Sequence, residues 1–384
     1  MLTQEVLFES SLHNLTISTA DRKRKAELLA SSAFVFYRGN NPLFYRQLAE
    51  RNCIFSSEFY SEATKVWILG DMHIGNFGSF TLGEEIIYHV NDFDEAWLTS
   101  YLFDIYRLSC SLLLLCQEQS IAEQESKNLL FELLQCYTDT VQEYPKLRHF
   151  RLVEKEAYGK LDEFLAEVKE ENSREILLDK WTEKTQNKRN FLCASEKEKL
   201  QNTSEAELND IKQSTHSYLQ EKGLLLYDCK KRVFAGVGSY GIKRYYLLVA
   251  SPGALLDEYH ILELKKQVLP SVCKYLSQED VEALTQKFSC QAERAVVAQN
   301  IMLAEKQSYL TDITLSDASY LLRERSPYKE SFPLHKLHSY KRIAKMSQQW
   351  AKLAALAHCH SDCKQGAFAM KHSFYEEFST LICS

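Results

Sequence analysis

Gly70-Asp71-Met72-His73-Ile74-Gly75-Asn76-Phe77-Gly78 and Val90-Asn91-Asp92-Phe93-Asp94-Glu95-Ala96 lie close together in the chain. Each follows a short apolar run, Val66-Trp67-Ile68-Leu69 in the first case and Ile86-Ile87-Tyr88-His89-Val90 in the second. Short apolar runs closed by turn residues read as strands. The pattern therefore predicts two strands whose neighbouring ends carry Asp71, Asn76, Asp92 and Asp94. Oxygen ligands converging in this way suit Mg²⁺ and a phosphate-bearing substrate.

The 384 residues allow one large or two modest domains with a sizeable core. Hydrophobic residues make up 45% and charged residues 26%, the balance of a soluble globular chain. A net charge of -6 gives no global signal for nucleic acid, and none is expected as a partner. The first residues do not read as a signal peptide. The longest apolar run, Leu112-Leu113-Leu114-Leu115-Cys116, is too short to span a bilayer. The 11 cysteines form no CxxC pair, which points to reduced thiols in a cytoplasmic setting. Export by a dedicated machine would leave no mark in these residues.

Around the two motifs the periodicity predicts an α+β chain with a large helical portion. Helical spacing covers residues 20–50, with Asp21 as a candidate N-cap, then 101–116 and 120–143. The charge-rich stretch 150–220 reads as solvated helices with breaks near Asn172 and Asn202, a surface layer or a lid. From Gly223 the texture becomes strand-like, through 224–227, 233–235, 244–249 and 260–264, with a turn at Pro252-Gly253. A helix over 277–303, a strand over 317–323 and a helix over 335–360 complete the reading. The expected division is a helical lobe over 1–222, a β-rich lobe over 223–330 and C-terminal helices over 331–384.

Gly236-Val237-Gly238-Ser239-Tyr240-Gly241 sits between two of these runs. A glycine-rich hairpin can wrap backbone N–H groups around phosphates without Cβ clashes. No helix follows directly, which argues against a dinucleotide-binding βαβ unit. Downstream comes Leu262-Glu263-Leu264-Lys265-Lys266, where alternation puts Lys265 and Lys266 on opposite faces of a strand.

Gly70-Asp71-x-His73-x-x-Asn76 followed by Asp92-Phe93-Asp94-x-Ala96 resembles the catalytic and metal motifs of kinase-like phosphotransferases such as the aminoglycoside phosphotransferases and choline kinases. With Phe36-Tyr37-Arg38-Gly39 and the later segments, most of the chain resembles more closely the uncharacterised bacterial family DUF2252. The resemblance implies a bilobal kinase-like fold using ATP and Mg²⁺. By that likeness Asp71 is the catalytic base that activates an acceptor hydroxyl, while Asn76 and Asp92 hold the metal. Asp94 binds a second ion or fixes the loop, and His73 braces the turn. Gly236, Gly238, Ser239 and Gly241 cover the nucleotide, and Lys265 pairs with its phosphates. Glu293 is the candidate acidic partner of Lys265. Kinases place glycine loop and lysine before the catalytic aspartate, whereas here they come after it, so the resemblance implies a circular permutation. Arg38 and Arg323, in Tyr320-Leu321-Leu322-Arg323, are phosphate clamps or structural salt bridges.

Two further readings stand beside this one. Asp71-x-His73 with Gly75-Asn76 resembles the first motif of metallophosphoesterases, but no GDxxD or GNH[DE] motif follows. A nucleotide-binding pseudokinase or scaffold would keep the fold without turnover. His358-Cys359-His360 with Cys363 has zinc-like residue types, yet a helical register turns the two histidines apart. No GxSxG elbow is present. The residues do not identify the acceptor, a small molecule or a protein.

Overall fold

The structure is a computed structural model that describes residues 19–52, 54–57, 59–61, 64–186, 188–192, 199–233 and 241–361. The helical stretch expected over 20–50 is three helices, α1 (Thr19–Leu29), α2 (Ala33–Gly39) and α3 (Asn41–Arg51). The first break falls where Ser32 Oγ accepts the Val35 N–H and caps α2. The second falls where Asn40 and Pro42 start α3.

Next come β1 (Lys65–Ile68), β2 (Phe77–Leu82), β3 (Glu85–Val90) and β4 (Trp97–Ser100), then α4 (Leu102–Glu118) and α5 (Glu123–Leu147). Here the structure corrects the expected pairing. The two apolar runs that precede the acidic motifs are not neighbouring strands. β1 pairs antiparallel with β4, Ile68 opposite Trp97. β3 pairs antiparallel with β2, Val90 opposite Phe77. Both partner strands went unread because a glycine, two hydroxyl residues and a short span hide their alternation. The acidic ends meet through the loops instead.

The charge-rich segment folds as α6 (Lys160–Glu171), α7 (Arg174–Trp181), β5 (Thr182–Lys184), β6 (Arg189–Phe191), β7 (Leu200–Asn202) and α8 (Glu205–Glu221). Each helix buries one apolar stripe: Leu161, Phe164, Leu165 and Val168 on α6, and Ile211 and Leu219 on α8. A capping box between Ser204 and Glu207 starts α8.

β8 (Leu225–Arg232), β9 (Arg244–Ala250) and β10 (His260–Lys266) follow, then α9 (Gln278–Thr285), α10 (Gln291–Met302), β11 (Thr311–Leu315), β12 (Ala318–Glu324), β13 (Glu330–Ser331) and α11 (Tyr340–Ser361). One antiparallel sheet runs β11-β12-β10-β9-β8-β7. Its edge strand β7 thus comes from residues ahead of Gly223. The helix expected over 277–303 is two, since Cys290 caps α10 and restarts the register.

The architecture is α+β. One core joins β1–β4 to α3–α6 and α11, with the alanine-rich face of α11 packed along α5. The six-stranded sheet has apolar clusters on both faces, one around Leu247, Leu262, Leu264 and Leu322, the other around Trp181, Tyr246, Leu248 and Ile261. The second face turns polar toward Glu263 and Lys265, and that end meets the loops after β1 and β3. Among the described residues no helix is long and apolar enough to cross a membrane.

Candidate functional site

The Asp71 loop is held at the residue before it. Gly70 adopts φ +74°, and its backbone is bonded on both sides. Leu69 N–H and Gly70 N–H donate to the two carboxylate oxygens of Asp104 on α4, at 2.5 and 2.9 Å. Gly70 O accepts from Asn41 Nδ2 and Tyr45 Oη on α3, at 3.1 and 2.6 Å. Asp104 in turn lies 3.1 Å from His358 Nε2, and Tyr137 Oη lies 2.8 Å from His358 Nδ1. A buried chain from α5 through α11 and α4 therefore fixes the turn that presents Asp71.

Asp71 Oδ1 accepts from Arg107 Nε at 2.5 Å. Arg107 is fully buried, its guanidinium against the Tyr37 and Phe44 rings at 4.5 and 4.8 Å. Burial lifts the Asp71 carboxyl to about 7, against the pull of Arg107 and with a push from Glu95 and Asp92. The sequence reading missed Arg107 and Asp104. Their signal was there: two charges one helical turn apart inside the otherwise apolar run 102–116.

His73 Nδ1 accepts the Gly75 N–H at 3.1 Å, and burial holds its imidazole neutral, well below its usual range. Asn76 Nδ2 donates to Asp71 O at 2.8 Å, and Asn76 O accepts the Asn91 N–H at 3.1 Å. The first bond closes the turn of the first motif, and the second ties that motif to the next. They also leave the Asn76 amide oxygen as the atom for another partner.

Lys265 reaches across from β10 with only 1% of its surface exposed. Its ammonium contacts Asp94 Oδ2 directly and lies 3.5 Å from Asp92 Oδ1. Gln267, one step along the same strand face, donates to Asp94 Oδ1 at 2.8 Å. Both Asp94 oxygens are thus occupied by β10. For Asp92, burial pushes the carboxyl up, but Lys265, Arg323 and Lys329 pull harder and hold it below the usual range. Among the described residues Asp92 Oδ1 has no hydrogen-bond partner.

Behind Lys265 the sheet carries a second ion cluster. Glu263 accepts from Arg323 Nε and Nη2 at 3.1 and 3.0 Å and from Arg244 at 3.0 Å. Three adjacent strands supply the three side chains, and register sets Glu263 opposite Arg323. Arg323 also donates to Asn91 O at 3.4 Å. It is a structural bridge between sheet and loop. Arg38, in the last turn of α2, lies near enough to His73 to depress its protonation, and no carboxylate among the described residues pairs with it.

Glu293 is corrected as the partner of Lys265. It sits in the first turn of α10 and accepts from Ser289 N and Oγ at 2.6 and 2.7 Å, a local capping contact. Its neighbour Arg294 is the long-range residue. It donates to Asp94 O at 2.9 Å and to Ala96 O, clamping the loop that carries Asp94. Lys266 faces the other way and pairs with Asp317 at 3.3 Å. Gly241 is exposed with φ +92°. Gly236, Gly238 and Ser239 lie outside the described residues, as does Cys363. His358 and His360 point apart, the latter to the carbonyls of Met302 and Arg148.

Among the described residues no group of three or more His, Cys, Asp or Glu is arranged to hold a metal. Mg²⁺ commonly takes one or two carboxylates, with water and phosphate oxygens completing its shell. The Asp92 carboxylate, which pairs with Lys265 at 3.5 Å without a hydrogen bond to Oδ1, and the Asn76 amide oxygen fit that mode. Asp94, with both oxygens occupied, fits loop fixation better.

A family model described as "Uncharacterized protein conserved in bacteria (DUF2252)" matches residues 21–383. No curated protein and no solved structure matches the chain. The chain belongs to the DUF2252 family.

Proposed function

We propose that this member of the DUF2252 family is an ATP- and Mg²⁺-dependent phosphotransferase built on a circularly permuted, kinase-like, bilobal fold. One observation carries the reading. Lys265 from the six-stranded sheet meets Asp92 and Asp94, which lie more than 170 residues earlier in the chain, beside Asp71 and Asn76. A lysine beside acidic loops on a sheet face is what phosphoryl transfer asks for, since catalysis there is mostly positioning and charge neutralisation.

Asn76 and Asp92 would hold Mg²⁺, which when bound neutralises phosphate charge. Lys265 would pair with the same phosphates, and the glycine-rich segment 236–241 would cover them. Asp71 Oδ1 is fixed by Arg107, leaving Oδ2 to take the proton of an acceptor hydroxyl. A carboxyl lifted to about 7 is matched to that task near neutral pH. A second reading, nucleotide binding without turnover, draws on the same contact, because Arg107 engages the carboxylate that must act.

Calorimetric titration with ATP and Mg²⁺ tests the nucleotide reading. Saturable, Mg²⁺-dependent binding is expected, and Asp92→Ala should weaken it by about tenfold to a hundredfold, the loss of one charge-assisted contact. A folded wild type that binds nothing would sink the ATP model. Turnover tests the base. With water as a default acceptor, kcat/KM for ATP hydrolysis should rise with pH through a midpoint near 7, because only the ionised Asp71 accepts a proton. A profile flat across that range removes Asp71 from the role.

A further inference from the structure

A cavity of about 150 Å³ adjoins the Asp92 loop, lined among others by Asn91, Phe93, Gln299, Tyr309, Arg323 and Lys329. It lies outside the machinery assigned above and does not depend on nucleotide binding. Two features of its wall are incomplete.

The first is charge. The two acids on the wall are already neutralised. Glu305 pairs with Arg151, and Glu324 pairs with His260 at 2.6 Å and Arg174 at 3.6 Å. Lys329 has no carboxylate partner among the described residues. Around it, Arg244 and Arg323 share the single carboxylate of Glu263, and Lys265 serves Asp92 and Asp94. Lys329 thus has Arg323 and Arg325 as neighbouring cations, against Glu263 and Asp92 as neighbouring carboxylates. Burial, with Arg323 beside it, pulls Lys329 down to about 7. Lys329 is half-buried, and an anion beside it would favour its charged form.

The second is a hydrogen bond. Gln299, 3% exposed, donates through Nε2 to Gln307 at 2.9 Å, but its Oε1 is buried without a donor. A buried amide oxygen left alone carries a desolvation cost that a ligand donor would remove. Phe93, 1% exposed, supplies an apolar wall, and the volume admits only a few heavy atoms.

We propose that this cavity binds a small carboxylate that also bears a hydroxyl or ammonium donor, its anionic end on Lys329 and Arg323 and its donor on Gln299 Oε1. Because Arg323 also holds Asn91 O, an occupant would bear on the residue next to Asp92.

The test titrates the full-length protein calorimetrically with L-lactate and L-serine, using acetate as the carboxylate without a donor. Saturable binding of lactate or serine is expected, with acetate weaker. Lys329→Gln should weaken the bound probe by about tenfold or more, the loss of a charge-assisted contact. Gln299→Leu should bring lactate and serine down to the acetate level while leaving acetate unchanged. Circular dichroism checks that each variant is folded. The proposal is overturned if neither lactate nor serine binds, or if binding survives both Lys329→Gln and Gln299→Leu in folded protein.

Discussion

Lys265→Met is expected to lower the unfolding free energy by about 3–5 kcal/mol in metal-free buffer, the usual cost of breaking a buried ion pair by removing one partner. Methionine fills a similar volume, so packing loss is small. The loss is electrostatic. Lys265 is 1% exposed and, among the described residues, is the one cation in contact with Asp94 Oδ2. Without it, Asp94 keeps only Gln267 as a side-chain donor, and Asp92 relies on Arg323 and Lys329 at longer range. Two carboxylates would then face each other across the loop with too little positive charge.

Three further outcomes distinguish this from a generic core defect. The deficit should shrink as pH falls. With the lysine gone, the folded-state carboxyl pKa values rise above their unfolded values, so folding holds protons more tightly and stability is lost as pH climbs through that window. Mg²⁺ should return part of the stability to the variant, since a bound cation replaces the missing charge and favours the folded state by mass action. The double variant Lys265→Met/Asp94→Asn should be more stable than Lys265→Met alone, the sign of direct coupling. Denaturant unfolding at two pH values, with and without MgCl₂, reads all three. A loss below about 1 kcal/mol would mean a solvated pair of the surface kind and would remove Lys265 as the centre of the site.

The residues that meet at this junction were legible in the sequence, and the residues that hold them were not. Asp71, Asn76, Asp92 and Lys265 announce themselves because carboxylates and amides at strand ends, and a lysine inside an apolar run, break the local pattern. The run around Lys265 also predicted its strand correctly. What failed was the strand pairing and the identity of the supporting residues. β1 and β3 look alike and follow one another, yet each pairs with a strand written in weak residues, and no local pattern states a partner. Glu293 was chosen by the rule that a helix acid faces the lysine, but its carboxylate satisfies orphan N–H groups at its own helix start. Asp104 and Arg107 were read as part of an apolar helix because most of their neighbours are apolar. Their burial was the clue, since a charge rarely enters a core without a task. The six-stranded sheet takes β7 from a stretch whose charge suggested solvated helix, because a strand of three residues has too little length to show a period.

Gly70→Ala is expected to cost on the order of 4 kcal/mol, while Gly223→Ala costs only about 1. Both glycines have left-handed backbone, φ +74° and φ +67°, and for an L-residue that conformation alone costs about 1–2 kcal/mol. Their surroundings differ. A Cβ at Gly223 meets nothing within 4 Å, so only the conformational term applies. A Cβ at Gly70 would lie 1.9 Å from the Glu95 carbonyl oxygen. The backbone must move, and Gly70 is the residue whose N–H and C=O are bonded to Asp104, Asn41 and Tyr45. Each buried group so released adds about 1–3 kcal/mol. The same 1.9 Å approach sets the loop after β1 directly against the loop after β3, so the motion that relieves the clash separates Asp71 from Asp92. Gly70→Ala should therefore lose Mg²⁺-dependent ATP binding at temperatures where it is still folded, and Gly223→Ala should keep it. Thermal unfolding beside calorimetric titration of both variants decides the matter. Equal stability losses at the two glycines would show that the two loops are free to part, and the account of the site as one packed junction would fail.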